Sequence, residues 1–154
     1  MSKAAAPRNS IARHSLARQV HDACLCLHVQ RAARALARRF DEAFRPLGIT
    51  HGQFSLLMSL NRDAPARIGA IATLLAIDRT TLTANLKPLA RRGLVKVDVD
   101  PDDRRSRMLA LTPAGRKLLA TALPIWKRSH GELERKIGVA SDPDRLRSDL
   151  RALA

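Results

Sequence analysis

The stretch Ile68–Val97, IGAIATLLAIDRTTLTANLKPLARRGLVKV, decides the fold. Ile68, Ile71, Leu74 and Leu75 recur at the spacing of one helical face, which predicts a short amphipathic helix. Ala76 and Ile77 make the turn. Asp78 is a natural N-cap, since its carboxylate can take an amide that the first turn of a helix leaves free. A second helix is expected from Arg79 to Arg92, with Gly93 supplying the stop. Leu82, Leu86 and Leu89 form its inward face; Thr80, Thr83, Ala84, Lys87 and Arg91 point outward. Short polar groups at the start of a helix can reach base edges, and later cations can meet phosphate, so this exposed face suits a DNA groove. An ordinary amphipathic surface helix would share the inward pattern. Pro88 has no N–H to return to Ala84, which predicts a bend near the helix exit.

The next residues narrow the choice. Leu94 to Val99 alternates as a strand, and Arg107 to Leu111 alternates as another, with DPDDRRSR between them. A charged hairpin directly after a recognition-type helix is a wing. Its tip carries Arg104, Arg105 and Arg107, which can enter a narrow minor groove where the negative potential is enhanced. Asp102 and Asp103 would repel phosphate, so they need a role; Asp103 is placed to hold an arginine guanidinium by a charge-assisted hydrogen bond.

Working outward, Leu16 to Leu47 contains no glycine and closes at Pro46, which predicts one long helix. Leu25, Val29, Leu36, Phe40 and Leu47 form one apolar stripe, with Leu16, Val20 and Leu27 on the other side. Apolar residues on two sides must be covered twice, by the helix's own domain and by a partner subunit. Gly48 ends that helix and Thr50 caps the next, through Phe54, Leu56, Leu57 and Leu60; Asn61 to Arg67 reads as a loop. Thr112-Pro113 starts a further helix bearing Leu118, Leu119, Ala122 and Trp126, with a kink expected at Pro124. A last helix carries Leu146, Leu150 and Leu153. The expected organisation is a mobile basic arm (residues 1–15), a dimerisation helix (16–47), a winged helix-turn-helix domain (48–112) and C-terminal dimerisation helices (113–154). The fold class is mainly α with a small β-wing.

Composition agrees with a polyanion partner. The chain has 154 residues, 28 Lys+Arg against 14 Asp+Glu, and a formal charge of +14. At 45% hydrophobic residues a real core can form, while 3% aromatics and no tyrosine argue against a base-stacking surface for single strands. No apolar run approaches the length of a membrane span, and the start has no apolar signal core, so a soluble cytoplasmic protein is expected. There is no Gly-rich phosphate loop, nucleophile elbow or HExxH, and Asp102-Asp103 on a wing tip would be solvated. No enzyme activity and no cofactor are implied.

The chain resembles the MarR family of bacterial regulators. ITHGQFSLL (Ile49 to Leu57) is similar to the family's second-helix signature, IDRTTLTANLKPLARRGLV to its recognition helix, and DDRRSRMLALTPAGR to its wing and following helix. The resemblance implies an obligate homodimer on a pseudo-palindromic double-stranded site, with an unknown small-molecule or oxidant effector. It offers Arg79, Thr80, Thr81, Thr83 and Lys87 to DNA, with Arg105 as the wing-tip minor-groove residue oriented by Asp103. The spacing of Cys26 from Gln53 resembles the organic-hydroperoxide-sensing branch, making Cys26 a candidate redox sensor. That branch activates its thiol with tyrosines, which this sequence lacks; a plain buried cysteine is the alternative.

His21, Cys24 and His28 share one helix face at spacings of three and four, a weak metal-ligand pattern against a packed polar seam. Neighbouring Cys24 and Cys26 point in different directions on a helix and make a poor disulfide pair. His51 is a candidate for an effector pocket, or for a surface turn. The reading is a homodimeric, sequence-specific transcriptional regulator, more often a repressor, with effector-modulated DNA affinity. The alternative is a non-specific architectural DNA binder, favoured by the charge.

Overall fold

The computed structural model describes residues 7–153. Seven helices and three short strands follow in the order α1 (Pro7–Ala23), α2 (Leu25–Phe44), α3 (His51–Ser59), β1 (Ala66–Arg67), α4 (Ile68–Leu75), α5 (Arg79–Arg91), β2 (Val95–Val99), β3 (Arg107–Leu111), α6 (Pro113–Gly138) and α7 (Pro143–Arg151) among the described residues. The chain divides into two compact units, one up to Ala37 and one from Arg38.

Two expectations about the N-terminal region change. Helix α1 already begins at Pro7, inside the stretch read as a mobile arm; residues 1–6 of that arm lie outside the described residues. The single long helix is interrupted at Cys24. The amide of Cys24 still donates to Val20 O and its carbonyl still accepts from His28 N, at 2.9 and 3.1 Å. The amide of Leu27 meanwhile donates to Cys24 Sγ at 3.4 Å. A side chain competing for the backbone disturbs the helix locally without a glycine or proline to announce it.

The second unit is built on Phe40, Phe44, Phe54, Leu56, Leu57, Leu60, Ile71, Leu82, Leu89 and Leu109, all at most 5% exposed. The Phe44 and Phe54 rings stack with centroids 4.6 Å apart, tying α2 to α3. Between them a 3-10 turn (Arg45–Leu47) ends in Gly48, whose φ of 63° is the left-handed conformation a glycine adopts without strain. Thr50 and Gln53 then form a reciprocal capping box at the start of α3. The chain turns from α4 to α5 through Ala76, at φ 51°.

The sheet has strand order β1-β3-β2, antiparallel throughout, with Ala66 opposite Leu109 and Val97 also opposite Leu109. Strand β1 lies in the stretch read as a loop, because two residues are too few for alternation to show. In β2 only Val95 is buried; Val97 and Val99 are 38% and 54% exposed. The alternation therefore marks a strand that leaves the body of the domain as a hairpin.

Helix α6 starts at the expected Thr112 cap, with Thr112 Oγ1 accepting from Gly115 N at 3.0 Å. A Cβ at Gly115 would lie 2.2 Å from the carbonyl oxygen of Leu94, so only glycine lets α6 approach β2. Pro124 sits inside α6, which runs unbroken in register to Gly138. The residue four positions earlier, Ala120, is exposed, so water can take the carbonyl that Pro124 leaves without a donor.

Candidate nucleic-acid interface

Helix α5 is held by its leucines and presented by its cap. Leu82, Leu86 and Leu89 are buried, each contributing about 1.5–3 kcal/mol of apolar burial, which fixes the rotation of the helix. Asp78 Oδ1 accepts from Thr81 N at 2.8 Å and Oδ2 from Thr81 Oγ1 at 2.7 Å. The amide and hydroxyl of Thr81 hold the Asp78 carboxyl below its ordinary value. Arg79, Thr80, Thr83, Ala84 and Lys87 together line one shallow depression on the outward face. Of the expected DNA-contacting residues on this helix, Thr81 stands apart, its hydroxyl engaged by the cap. Thr83 donates its hydroxyl to Arg79 O at 2.7 Å, which leaves its methyl group and both oxygen lone pairs for a partner. Pro88 is accommodated within α5.

In the wing the arginines are not equivalent. Arg104 and Arg105 are exposed, and neither forms an ion pair among the described residues. Arg107 turns back, its Nη1 donating to the carbonyls of Arg104 and Ser106 at 3.0 and 2.9 Å. Asp103 acts differently from the expected guanidinium holder. Its Oδ1 accepts the backbone amide of Arg105 at 2.9 Å, and its carbonyl accepts from Ser106 N at 2.8 Å. A short carboxylate bonds an amide two residues on more readily than a distant side-chain tip, so Asp103 shapes the turn that carries Arg105.

Three features of this lobe were not foreseen from sequence. Asp100 is 1% exposed at the base of the wing and pairs with Arg67 of β1, Oδ2 to Nε at 2.8 Å. Arg67 Nη2 also reaches Asp102 Oδ2 at 2.9 Å. At the other end of α5, Arg92 donates to Gly48 O and Leu47 O at 2.7 and 3.1 Å, anchoring the recognition helix to the turn before α3. The third is the Gly115 approach. None has a local signal beyond a carboxylate that ends an alternating strand.

The remaining candidates are placed as follows. Cys26 is exposed in the single chain, and its sulfur accepts from Gln30 Nε2 at 3.2 Å. His21 and His28 meet edge to face at 6.3 Å, but His21 faces Asp22 and Arg31, at 3.0 Å each, and His28 Nε2 faces Asp22 O at 3.1 Å. With Cys24 turned to Leu27 N, these three form no metal-ligating group among the described residues. His51 donates its amide to Asp41 Oδ1 at 2.6 Å and packs its ring on Phe40, with centroids 5.5 Å apart. A neighbouring depression is lined instead by Arg38, Glu42, Arg45, Thr50 and Gln53.

A helix-turn-helix whose second helix is followed directly by a two-stranded arm, with basic side chains on both, is a winged helix-turn-helix domain. The MarR family model matches residues 49–106, the span from the end of the α2 turn through the wing. The transcriptional regulator MosR of M. tuberculosis, solved in complex with DNA, is 35% identical, covers 84% of this chain and 92% of that one, and superposes with a TM-score of 0.73. The transcriptional repressor CouR, bound to a 23-mer DNA duplex, is 30% identical over 87% of this chain and 92% of that one, with a TM-score of 0.68. A putative transcriptional regulatory protein for the hcr operon of Thauera aromatica is 29% identical over 117 residues, 73% of this chain and 70% of the relative. The chain belongs to the MarR family of transcriptional regulators. Its relatives are regulators and not enzymes, as the sequence implied. No helix among the described residues is long and apolar enough to cross a membrane.

Proposed function

We propose that this chain is a cytoplasmic homodimer that binds a pseudo-palindromic duplex DNA site, represses transcription, and loses affinity when a small-molecule or oxidant effector acts on it. The observation that carries the reading is the outward face of α5, where Arg79, Thr80, Thr83, Ala84 and Lys87 line one surface while Arg104 and Arg105 stand free at the wing tip. Short polar groups read base edges in the major groove, and the wing arginines enter the flanking minor groove. The DNA-bound structures of MosR and CouR support this use of the fold. Dimerisation is supported by apolar side chains left exposed in the single chain: Leu16, Val20 and Leu25 in the N-terminal unit, and Leu150 and Leu153 near the C terminus. The exposed Cys26 thiol supports an oxidant as effector, and the depression beside Thr50 and Gln53 supports a small polar molecule.

The test is binding of Arg105→Ala to a duplex selected from a random-sequence pool by the wild-type chain. A loss of about 2 kcal/mol or more is expected if the guanidinium sits in a narrow groove. Wild-type affinity for that variant would sink the wing assignment. Treating the wild-type complex with an organic hydroperoxide separates the two effector classes: release that is absent in Cys26→Ser makes the effector an oxidant.

A further inference from the structure

The wing carries four carboxylates, Asp98 in β2 and Asp100, Asp102 and Asp103 in its loop, on a segment meant to approach a polyanion. Each has a partner other than a guanidinium of the tip arginines. Asp98 pairs with Lys96 at 2.8 Å, and Asp103 takes the Arg105 amide. The other two share one cation. Arg67 directs Nε at Asp100 Oδ2 and Nη2 at Asp102 Oδ2, at 2.8 and 2.9 Å. Asp100 is 1% exposed, and its Oδ2 has no aligned hydrogen bond, so its charge is balanced chiefly by that guanidinium. Its Oδ1 accepts from Asp102 N at 3.0 Å, which holds the second carboxylate beside the first.

We infer that Arg67 is the counter-ion that masks the acidic base of the wing, so that the loop presents Arg104 and Arg105 to phosphate without the opposing field of Asp100 and Asp102. This rests on the wing reading above. Arg67 is thereby a positioning residue acting through charge, and it makes no DNA contact of its own. With Arg67 the local net charge of the three side chains is about −1; without it the value is about −2, and at 0.1 M salt such a charge is felt over a Debye length of about 10 Å.

The experiment measures affinity for the same selected duplex by fluorescence anisotropy at about 0.1 M and 0.5 M salt, alongside thermal melting of each variant. Arg67→Gln is expected to bind about tenfold more weakly at the lower salt, with the defect shrinking at the higher one. Arg67→Gln with Asp102→Asn restores the local charge and is expected to return to within about threefold of wild type. Arg67→Lys keeps the charge without the two-pronged geometry and is expected to stay within about threefold as well. A double variant as weak as Arg67→Gln would overturn the inference, because a direct phosphate contact or a purely mechanical tie is not rescued by removing Asp102. Should Arg67→Gln not fold, Arg67→Lys decides: wild-type melting with binding as weak as about tenfold down overturns it. Arg105→Ala run in parallel separates the two failures. Undiminished binding there sinks the wing reading itself, whereas its loss alongside an unrescued Arg67→Gln sinks only the role of Arg67.

Discussion

At the scale of single residues, the interface depends on a few positions where the local backbone geometry restricts the side chain, or the lack of one. Gly115 is one. A methyl group there would stand 2.2 Å from Leu94 O, a carbonyl already engaged by Thr112, so neither backbone can yield easily. Gly115→Ala is expected to lower stability by about 1–3 kcal/mol or more, read as a shifted midpoint in chemical denaturation with the slope unchanged. Asp78 is another. Its folded value is lowered from the ordinary 3.8, so its contribution is complete above that value and is lost as pH falls through the lower folded one. Thermal melts should therefore show a flat Asp78 contribution between about pH 5 and 8. Asp78→Asn caps without titrating, and wild type should lose ground against it only below about pH 4. A difference between the two that develops near neutrality would mean the carboxylate is engaged by some other group.

At the scale of elements, punctuation was the most legible part of the sequence. Gly48, Thr50, Asp78, Gly93 and Thr112 all act at the positions their chemistry favours, because caps and left-handed stops are local events. What stayed hidden was tertiary. Strand β1 exists only through pairing with β3, and Arg67 finds Asp100 across more than thirty residues of chain, so no window of sequence contains the contact. The break at Cys24 was hidden for another reason: its backbone bonds persist, and only a sulfur contact marks it. Within α5 the leucine face was readable by period, and so was the opposite face that lines the depression. The three threonines separate only in the structure, Thr81 serving the cap while Thr80 and Thr83 line the outward face. Lys87 lies toward the exit of the helix, where phosphate is the natural partner, so Lys87→Ala should reduce the slope of log affinity against log salt by about 0.9 per site. Thr83→Ala should blur sequence preference more than it weakens binding. A slope unchanged by Lys87→Ala would place that side chain on a base edge or in solvent.

At the scale of the whole molecule, the exposed leucines are the largest feature that a single chain does not explain. Leu16 at 62%, Leu25 at 68% and Leu153 at 66% exposure are costly to leave in water, and the proposed homodimer would cover them with a second copy. Two recognition helices carried by one dimer would have to fit successive major grooves together, about one helical turn apart, so a small change in their separation removes much of the affinity. That coupling is what an effector would exploit. Val20→Asp combined with Leu150→Asp is expected to yield monomers by analytical ultracentrifugation and to abolish binding to a two-half-site duplex, while single half-site binding persists weakly. The charge of +14 guarantees some attraction to any duplex, so affinity alone is uninformative. The decisive measurement is the ratio of dissociation constants for the selected duplex and a scrambled duplex of equal length, at one fixed salt near 0.15 M. A sequence-reading regulator should favour the selected duplex by about 10³-fold or more. Equal affinity for the two would leave a protein that holds DNA without reading it.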